Sequence, residues 1–302
     1  MTNDATNDRD RDTKTADDPS RRDFVALSAA VGLIAATRVI SAGERKVIES
    51  DVEIKTPDGT CDAVFLHPAT GTHPGVLIWT DSAGLRPVYR EFFGRPLAAE
   101  GYAVLIPNSY YRTGKAPFFD LSKFDFSDPV QRERLHKLSA TLAAPGAVES
   151  DARAYIAFLD AQRQVNKAKK IGTHGYCMGG PLMMKTAATV PNRVGVGASF
   201  HGNALVTDKP DSPHLLASKI EARMTYFGIA AGDDERQPDV KVRLREAFVA
   251  AKVPAELEVY PNTIHGWCVP DFPPENGRRP YDKPEAERAW NKLLALYKSY
   301  LS

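Results

Sequence analysis

The chain has no long hydrophobic run, no excess of either charge and few cysteines. No stretch of its 302 residues approaches the roughly 20 apolar side chains that a membrane-spanning helix requires, so no stable membrane span is expected. Lys and Arg number 39 against 38 Asp and Glu, which argues against nucleic acid as the main partner because phosphate binding needs a concentrated basic face. Its three scattered cysteines are too few for a disulfide scaffold or a paired-cysteine zinc site.

Residues 1–44 differ in composition from the rest of the chain. The first 19 residues are rich in Asp, Asn and Thr and contain too few apolar side chains to offset the entropy of ordering, which predicts disorder. Arg21 and Arg22 are followed by Phe24 and by a short apolar stretch that ends at Ala36. This order is typical of a twin-arginine export signal, so we expect contact with the twin-arginine export machinery and a periplasmic or secreted bacterial protein. The alternative is a surface helix with an accidental arginine pair.

From residue 45 to 302 the sequence alternates between strand-like and helix-like segments, which indicates one α/β domain. Continuous apolar runs are typical of strands that are covered on both faces. Repeated strand–helix–strand units predict a mostly parallel central sheet with helices on both faces. The predicted strands are 52–55, 63–67, 75–79, 102–106, 170–174, 194–200, 224–230 and 255–260, and the predicted helices are 88–100, 148–162, 182–189, 240–251 and 286–300.

Residues 112–146 interrupt this alternation. The segment is rich in Phe, Asp and Arg and is too long for a simple connection. In an open α/β sheet, an insertion of this kind usually overhangs the carboxyl ends of the strands, where ligands bind. We therefore expect residues 112–146 to lie over the active site.

The segment 175–180 carries the strongest chemical signal in the sequence. It reads G-x-C-x-G-G between a predicted strand and a predicted helix, which is the context of a nucleophile turn. Glycines are needed there because the strained turn brings the backbone close to the neighbouring strand and helix. The helix N terminus is expected to favour the thiolate of Cys177, and the N–H of Met178 to donate to an oxyanion. The alternative is a buried structural thiol.

A thiol nucleophile requires a base, and the base requires an orienting carboxylate. His265 follows the last predicted strand, which predicts a position at the carboxyl edge of the sheet beside Cys177. His201 also follows a predicted strand and is the chief competitor. The carboxylate is expected after the preceding strand, where spacing alone does not choose between Asp233 and Asp234.

These motifs resemble those of the dienelactone hydrolase family, which comprises thiol hydrolases of the α/β-hydrolase fold. The nucleophile turn of the family reads G-x-C-x-G-G, as residues 175–180 do here. Its acid lies in a G-x-D-x-x-x-P turn, matched by Gly232, Asp234 and Pro238, so the resemblance favours Asp234 over its neighbour. Its histidine follows the last strand in a short turn, as His265 does. The resemblance covers most of the chain beyond residue 44 and implies an α/β-hydrolase fold.

The resemblance also implies three further site residues. Asp81 matches a carboxylate that the family, usually with Glu, places after the third strand close to the resting thiol, and Ser82 would supply the second oxyanion N–H. Arg132 corresponds to a substrate-binding arginine and would hold a substrate carboxylate, the alternative being a solvated arginine on a helix of alternating charge. Val269 replaces a second arginine of the dienelactone-cleaving enzymes, and His136 replaces a pocket tyrosine. We therefore expect a more apolar pocket mouth.

The sequence thus predicts a hydrolase that cleaves a small-molecule ester or lactone through Cys177, His265 and Asp234, without a metal or organic cofactor. A non-catalytic binding module is one alternative, but it would not need a strained glycine turn. A redox-active thiol protein is another, but no resolving cysteine lies near Cys177 in the sequence. Cys61 and Cys268 are expected to be either free thiols or a disulfide pair.

Overall fold

Within residues 45–274 and 277–301, which the computed structural model describes, eight strands form one sheet. The strands are β1 (Val47–Thr56), β2 (Gly59–Pro68), β3 (Gly75–Trp79), β4 (Ala103–Pro107), β5 (Ile171–Tyr176), β6 (Val194–Phe200), β7 (Met224–Ala230) and β8 (Ala255–Tyr260). Their order is β1-β2-β4-β3-β5-β6-β7-β8. A tight turn makes β1 and β2 antiparallel, and β2 also runs antiparallel to β4. The remaining neighbours are parallel because longer connections return the chain to the same edge.

Helices cover both faces of this sheet. They are α1 (Arg95–Ala99), α2 (Pro129–Ala140), α3 (Ala147–Ala161), α4 (Gly179–Thr189), α5 (Ala231–Arg236), α6 (Pro238–Ala251) and α7 (Lys283–Leu301), and a π-helical turn (Tyr89–Gly94) leads into α1. The buried sides of α3, α4 and α6 contribute to one hydrophobic core. The π-helical turn, α1 and α7 contribute to a second core on the other face.

Side chains of the central strands alternate between the two cores. In β3, Leu77 and Trp79 belong to the first core, whereas Val76 and Ile78 belong to the second. All five residues of β3 are buried, as expected for a strand with helices on both faces. Because the parallel strands end at the same edge, the loops that follow β3, β5, β6, β7 and β8 meet there.

The predicted fold class, a mostly parallel sheet with helices on both faces, is confirmed. The predicted strands 194–200, 224–230 and 255–260 coincide with β6, β7 and β8. The predicted helix 88–100 is instead a π-helical turn followed by the five-residue helix α1. The predicted disorder and export signal of residues 1–44 lie outside the described residues. None of the described helices is long and apolar enough to cross a membrane.

The three cysteines are free thiols. Cys61 belongs to the first hydrophobic core and Cys268 to the second, so the sheet separates them. A disulfide between these two residues is therefore excluded, and of the two possibilities the free thiols are the correct one. Burial raises the pKa of Cys268 well above its ordinary value, which keeps this thiol protonated.

Candidate active site

Cys177 lies on a strained turn between β5 and α4. Its φ of 52° is in the left-handed region, which a non-glycine residue adopts only at a cost. A Cβ atom on Gly175 would lie 2.1 Å from the carbonyl oxygen of Gly179, and one on Gly179 would lie 2.4 Å from the carbonyl oxygen of Trp79. Both glycines are thus required by close backbone approach, as the nucleophile-turn motif predicts.

A cavity of about 470 Å³ opens above this turn at the carboxyl edge of the sheet. Cys177 is only 5% exposed but lines the cavity, so a ligand in the cavity can reach its sulfur. Two lining residues, Phe126 and Arg132, come from the insertion 112–146, so this segment contributes to the site. The lining includes Ser82, Phe126, Arg132, Cys177, His201, Leu205, Ile229, Asp233, Asp234, Lys241, His265 and Phe272.

The histidine of the cavity pairs with Asp233. The Nδ1–H of His265 donates to Oδ2 of Asp233 at 2.8 Å. The neighbouring Asp234 instead accepts a hydrogen bond from Nζ of Lys241 at 2.6 Å. The expectation that Asp234 pairs with His265 is therefore wrong.

The path of the chain after β7 explains this difference. The turn motif implied a loop, but the chain enters α5 directly after Ala230. Consecutive residues of a helix point about 100° apart, so two adjacent carboxylates cannot both face the same imidazole. The amides of Ala231 and Gly232 bond to the side chain and the carbonyl of Thr263, which holds the start of α5 against the loop that carries His265.

The electrostatics of His265 favour a charged imidazolium. Burial opposes the charge, but the Cys177 sulfur and the Asp233 carboxylate outweigh this effect and raise the pKa of His265. Cys177 is therefore close enough to the ring to contribute to the raised pKa of His265. The arrangement therefore keeps a protonated imidazole in the cavity beside the turn that carries Cys177.

Two backbone N–H groups near the cavity, that of Ser82 in its lining and that of Met178 directly after Cys177, lack an acceptor. Neither Ser82 nor Met178 donates its amide hydrogen to any acceptor in the described part of the chain. Tyr110 contacts both of these residues: its hydroxyl donates to the Ser82 carbonyl at 2.8 Å and is 3.2 Å from Sδ of Met178. Tyr110 is fully buried and follows β4, a position that carried no recognisable motif in the sequence. The two amides are thus available to an oxyanion at Cys177.

Asp81 is bound by a buried arginine and makes no hydrogen bond to Cys177. Arg86 donates to both carboxylate oxygens of Asp81, at 2.7 and 2.8 Å, and Tyr89 donates at 2.9 Å. The same guanidinium donates twice to Asp271, in the loop after β8. Among the described residues, the hydrogen-bond partners of the Asp81 carboxylate therefore do not include the resting thiol. We call these three charged residues the Asp81–Arg86–Asp271 cluster.

Arg132 lies at the exposed rim of the cavity on α2. In the part of the chain that the structure describes, its guanidinium has no ion-pair partner. His136, also on α2, is exposed and does not line the cavity, and Val269 is fully buried. Val269 thus supplies no cation to the cavity, whose lining contains Arg132, Arg236 and Lys241.

His201 follows β6 and reaches the same cavity, but it does not pair with Asp233. Its ring packs edge to face on the ring of His265, with 5.0 Å between centroids. Sequence position alone made it a competitor for the role of base, and the geometry separates the two histidines. Only His265 has a carboxylate partner.

A nucleophile turn after a central strand, with a histidine at a neighbouring strand end of a mostly parallel sheet, defines the α/β-hydrolase class of enzymes. The model of the dienelactone hydrolase family matches residues 61–301, and the chain belongs to that family. The resemblance and the predicted α/β-hydrolase fold are thereby confirmed. The chain is a hydrolase acting on ester or lactone bonds.

Known relatives are similar over most of the chain. The carboxymethylenebutenolidase of Rhodococcus opacus is 26% identical over 253 residues, which cover 82% of this chain and 90% of that protein. A solved dienelactone hydrolase-like promiscuous phosphotriesterase from metagenomic libraries has a TM-score of 0.67 at 20% identity and covers 85% of this chain and 99% of its own. The dienelactone hydrolase of Anabaena variabilis ATCC 29413 has a TM-score of 0.57 at 16% identity, with coverages of 85% and 99%.

Proposed function

We propose that this hydrolase cleaves its ester or lactone by covalent catalysis, with Cys177 as nucleophile, His265 as acid and base, and Asp233 as the orienting carboxylate. One observation carries the proposal: Cys177 lines the cavity on a strained turn, and the same cavity is lined by a histidine whose Nδ1 is held by a carboxylate. A nucleophile, a base and an orienting group in this sequence of contacts suit acyl transfer.

In the first half of the reaction the Cys177 thiolate attacks the carbonyl carbon. The C–S bond forms as the carbonyl π electrons move to oxygen, and the amides of Ser82 and Met178 bind the resulting oxyanion, each contributing about 3 kcal/mol in comparable sites. The intermediate collapses to a thioester as the C–O bond to the leaving group breaks. The His265 imidazolium gives its proton to the departing alkoxide, which leaves as an alcohol or stays attached in a lactone.

In the second half the neutral His265 takes a proton from water, and the hydroxide attacks the thioester carbonyl. The C–S bond breaks, the acid is released and the thiolate returns beside the imidazolium. Asp233 keeps the ring in one orientation through both halves and stabilises its positive charge. The net reaction adds water across the ester bond and consumes no other reactant.

The lining of the cavity suits a substrate that has an apolar body and a negative charge far from the scissile bond. Phe126, Ile229 and Phe272 supply apolar walls, and Arg132 supplies a cation at the rim. A relative is named carboxymethylenebutenolidase, and a carboxylate on the substrate would suit Arg132. We also propose that the protein is exported by the twin-arginine route, to the bacterial periplasm or outside the cell, because its sequence contains the pair Arg21 and Arg22 before a short apolar stretch.

The experiment is to compare wild type with Cys177→Ala on a small aryl ester, such as 4-nitrophenyl butyrate. We expect the variant to lose nearly all turnover, since the residual oxyanion site cannot form the thioester. Cys268→Ala, which removes a thiol buried in the second core and absent from the cavity lining, is the control and should retain activity. A mass increase of wild type by one acyl group in a quenched reaction would support the thioester. Turnover by Cys177→Ala at the wild-type rate would contradict the proposal.

A further inference from the structure

His201 lies level with Cys177 at the carboxyl edge of the sheet. Tyr176, the last residue of β5, pairs in register with Phe200, the last residue of β6, so the two residues that follow are neighbours. The backbone confirms this proximity, since the amide of Cys177 donates to the carbonyl of Phe200 and the amide of Asn203 donates to the carbonyl of Cys177. The backbones of residues 177 and 201 are thus direct neighbours, and the ring of His201 packs on that of His265, which lines the same cavity as Cys177.

The ring of His201 is buried yet has no partner for either nitrogen. The residue is 1% exposed, and neither Nδ1 nor Nε2 makes a hydrogen bond with any described residue. Its neighbours are the rings of His265 and Trp267, both packed edge to face, with centroids at 5.0 and 5.1 Å. Buried polar groups are nearly always paired in folded proteins, because an unpaired one gives up its bonds to water. His201 is also among the residues that line the cavity, so a ligand bound there is the candidate for the missing partner.

The environment of His201 determines which kind of ligand it suits. Burial and the neighbouring charge of His265 lower its pKa well below the ordinary value, which keeps the ring neutral. A neutral imidazole offers one N–H donor and one lone pair, and it brings no charge to balance a carboxylate. Its φ of 41° shows that the chain holds a non-glycine residue in the left-handed region at this point.

We propose that His201 binds substrate by donating a hydrogen bond to an uncharged oxygen, such as an ether, hydroxyl or keto oxygen, carried by the acyl group close to the scissile carbonyl. This inference rests on the proposed thioester at Cys177, because it is the acyl group that stays bonded beside His201. The residue would select oxygen-substituted acids over purely aliphatic ones. Arg132 at the rim addresses a separate, more distant part of the substrate.

Two aryl esters of matched shape test this inference. 4-Nitrophenyl methoxyacetate and 4-nitrophenyl butyrate differ only in one ether oxygen that replaces a methylene group. We would measure kcat/KM of both for wild type, His201→Phe, which removes both ring nitrogens, and His201→Asn, which keeps an N–H donor and tolerates the left-handed backbone. The ratio of the two kcat/KM values, compared between variants, cancels the different intrinsic reactivity of the esters.

We expect the preference for the methoxyacetate to fall about 5- to 10-fold in His201→Phe, which is the loss of one neutral hydrogen bond. In His201→Asn the preference should stay within about twofold of wild type. If His201→Phe does not fold, as judged by circular dichroism, His201→Gly takes its place, since glycine adopts the backbone conformation without strain and also lacks the donor. The same fall in preference is expected for His201→Gly.

An unchanged preference in the folded variant would overturn the inference, even where both rates fall together, because a purely structural role would lower both equally. The proposed function is judged separately by Cys177→Ala, which should abolish cleavage of both esters. If that variant retained activity, the chemistry at Cys177 would fail. If Cys177→Ala lost activity but the preference for the methoxyacetate were the same in wild type and the His201 variants, only the role of His201 would be wrong.

Discussion

At the scale of single residues, the adjacent carboxylates of Asp233 and Asp234 are expected to differ most in their contribution to kcat. Asp233→Asn should lower kcat by roughly two orders of magnitude or more, since an amide no longer fixes the His265 ring or stabilises its charge. Asp234→Asn should stay within roughly threefold of wild type, because only a partly exposed ion pair with Lys241 is lost. The measurement is kcat on 4-nitrophenyl butyrate for both variants at the same pH.

The two substitutions are isosteric and adjacent, so each serves as the control of the other. Circular dichroism and thermal unfolding of both variants would show whether a loss of activity follows a loss of structure. The opposite result, in which Asp234→Asn is inactive and Asp233→Asn is active, would return the role of acid to the residue that the family turn indicated. It would also show that the hydrogen bond between Asp233 and His265 is not used in catalysis.

The sequence located some of these residues and not others, for a physical reason. Cys177 and His265 each follow a strand in a short, distinctive stretch; the strand before His265 ends at the predicted residue, and the strand before Cys177 ends two residues later than predicted. The choice of Asp233 depends on whether the chain after β7 turns or enters a helix at once, and a one-residue difference rotates the side chain by about 100°. Spacing in the sequence does not carry that information.

At the scale of elements, the Asp81–Arg86–Asp271 cluster joins the turn after β3 to the loop after β8. Arg86 and Asp81 are both almost completely buried. Arg86→Met should lower the free energy of unfolding by about 3–5 kcal/mol, since it leaves the Asp81 carboxylate buried without its cation. The measurement is urea-induced unfolding followed by tryptophan fluorescence.

The matched control for this substitution is Arg90→Met. Arg90 also bonds to two carboxylates, Glu49 and Asp51, but its side chain is 32% exposed. The loss there should stay below about 1 kcal/mol, as for other surface ion pairs. Equal losses in the two variants would show that the buried cluster is no more important to stability than the surface network.

The helix α2 carries a second prediction at this scale. Arg132→Ala should raise KM about fivefold for mono-4-nitrophenyl glutarate, because an exposed cation at the rim contributes about 1 kcal/mol to binding a distal carboxylate. KM for the uncharged 4-nitrophenyl hexanoate should not change. Lys137→Ala, on the same helix but paired with Glu133 and outside the cavity, is the control and should affect neither ester. A rise in KM for both esters would contradict a role in charge recognition.

Strands were easier to predict than the contacts between loops. The strands β3 and β4 are buried on both faces, and their sequences are continuous apolar runs that a short window of sequence detects. Arg86 and Asp271 are 185 positions apart, and nothing in the sequence near either residue indicates the other. The cluster arises only because parallel strands bring their carboxyl ends to one edge.

At the scale of the whole molecule, the placement of the thiols agrees with the proposed export. A periplasm is oxidising, and an exposed thiolate there is readily oxidised. Cys61 and Cys268 are buried in separate cores, and Cys177 is 5% exposed within the cavity. The fold thus limits access of oxidants to the Cys177 sulfur and keeps the other two thiols from pairing with each other.

The export proposal itself depends on the arginine pair. In the full chain expressed in a bacterium with the twin-arginine machinery, Arg21→Lys combined with Arg22→Lys should lower periplasmic esterase activity at least about tenfold, because lysine lacks the planar guanidinium that a bidentate receptor reads. Arg38→Lys, beyond the apolar stretch, is the control and should leave export unchanged. Immunoblots of periplasmic and cytoplasmic fractions would accompany the assay. Undiminished export of the double variant would show that these arginines are not part of an export signal.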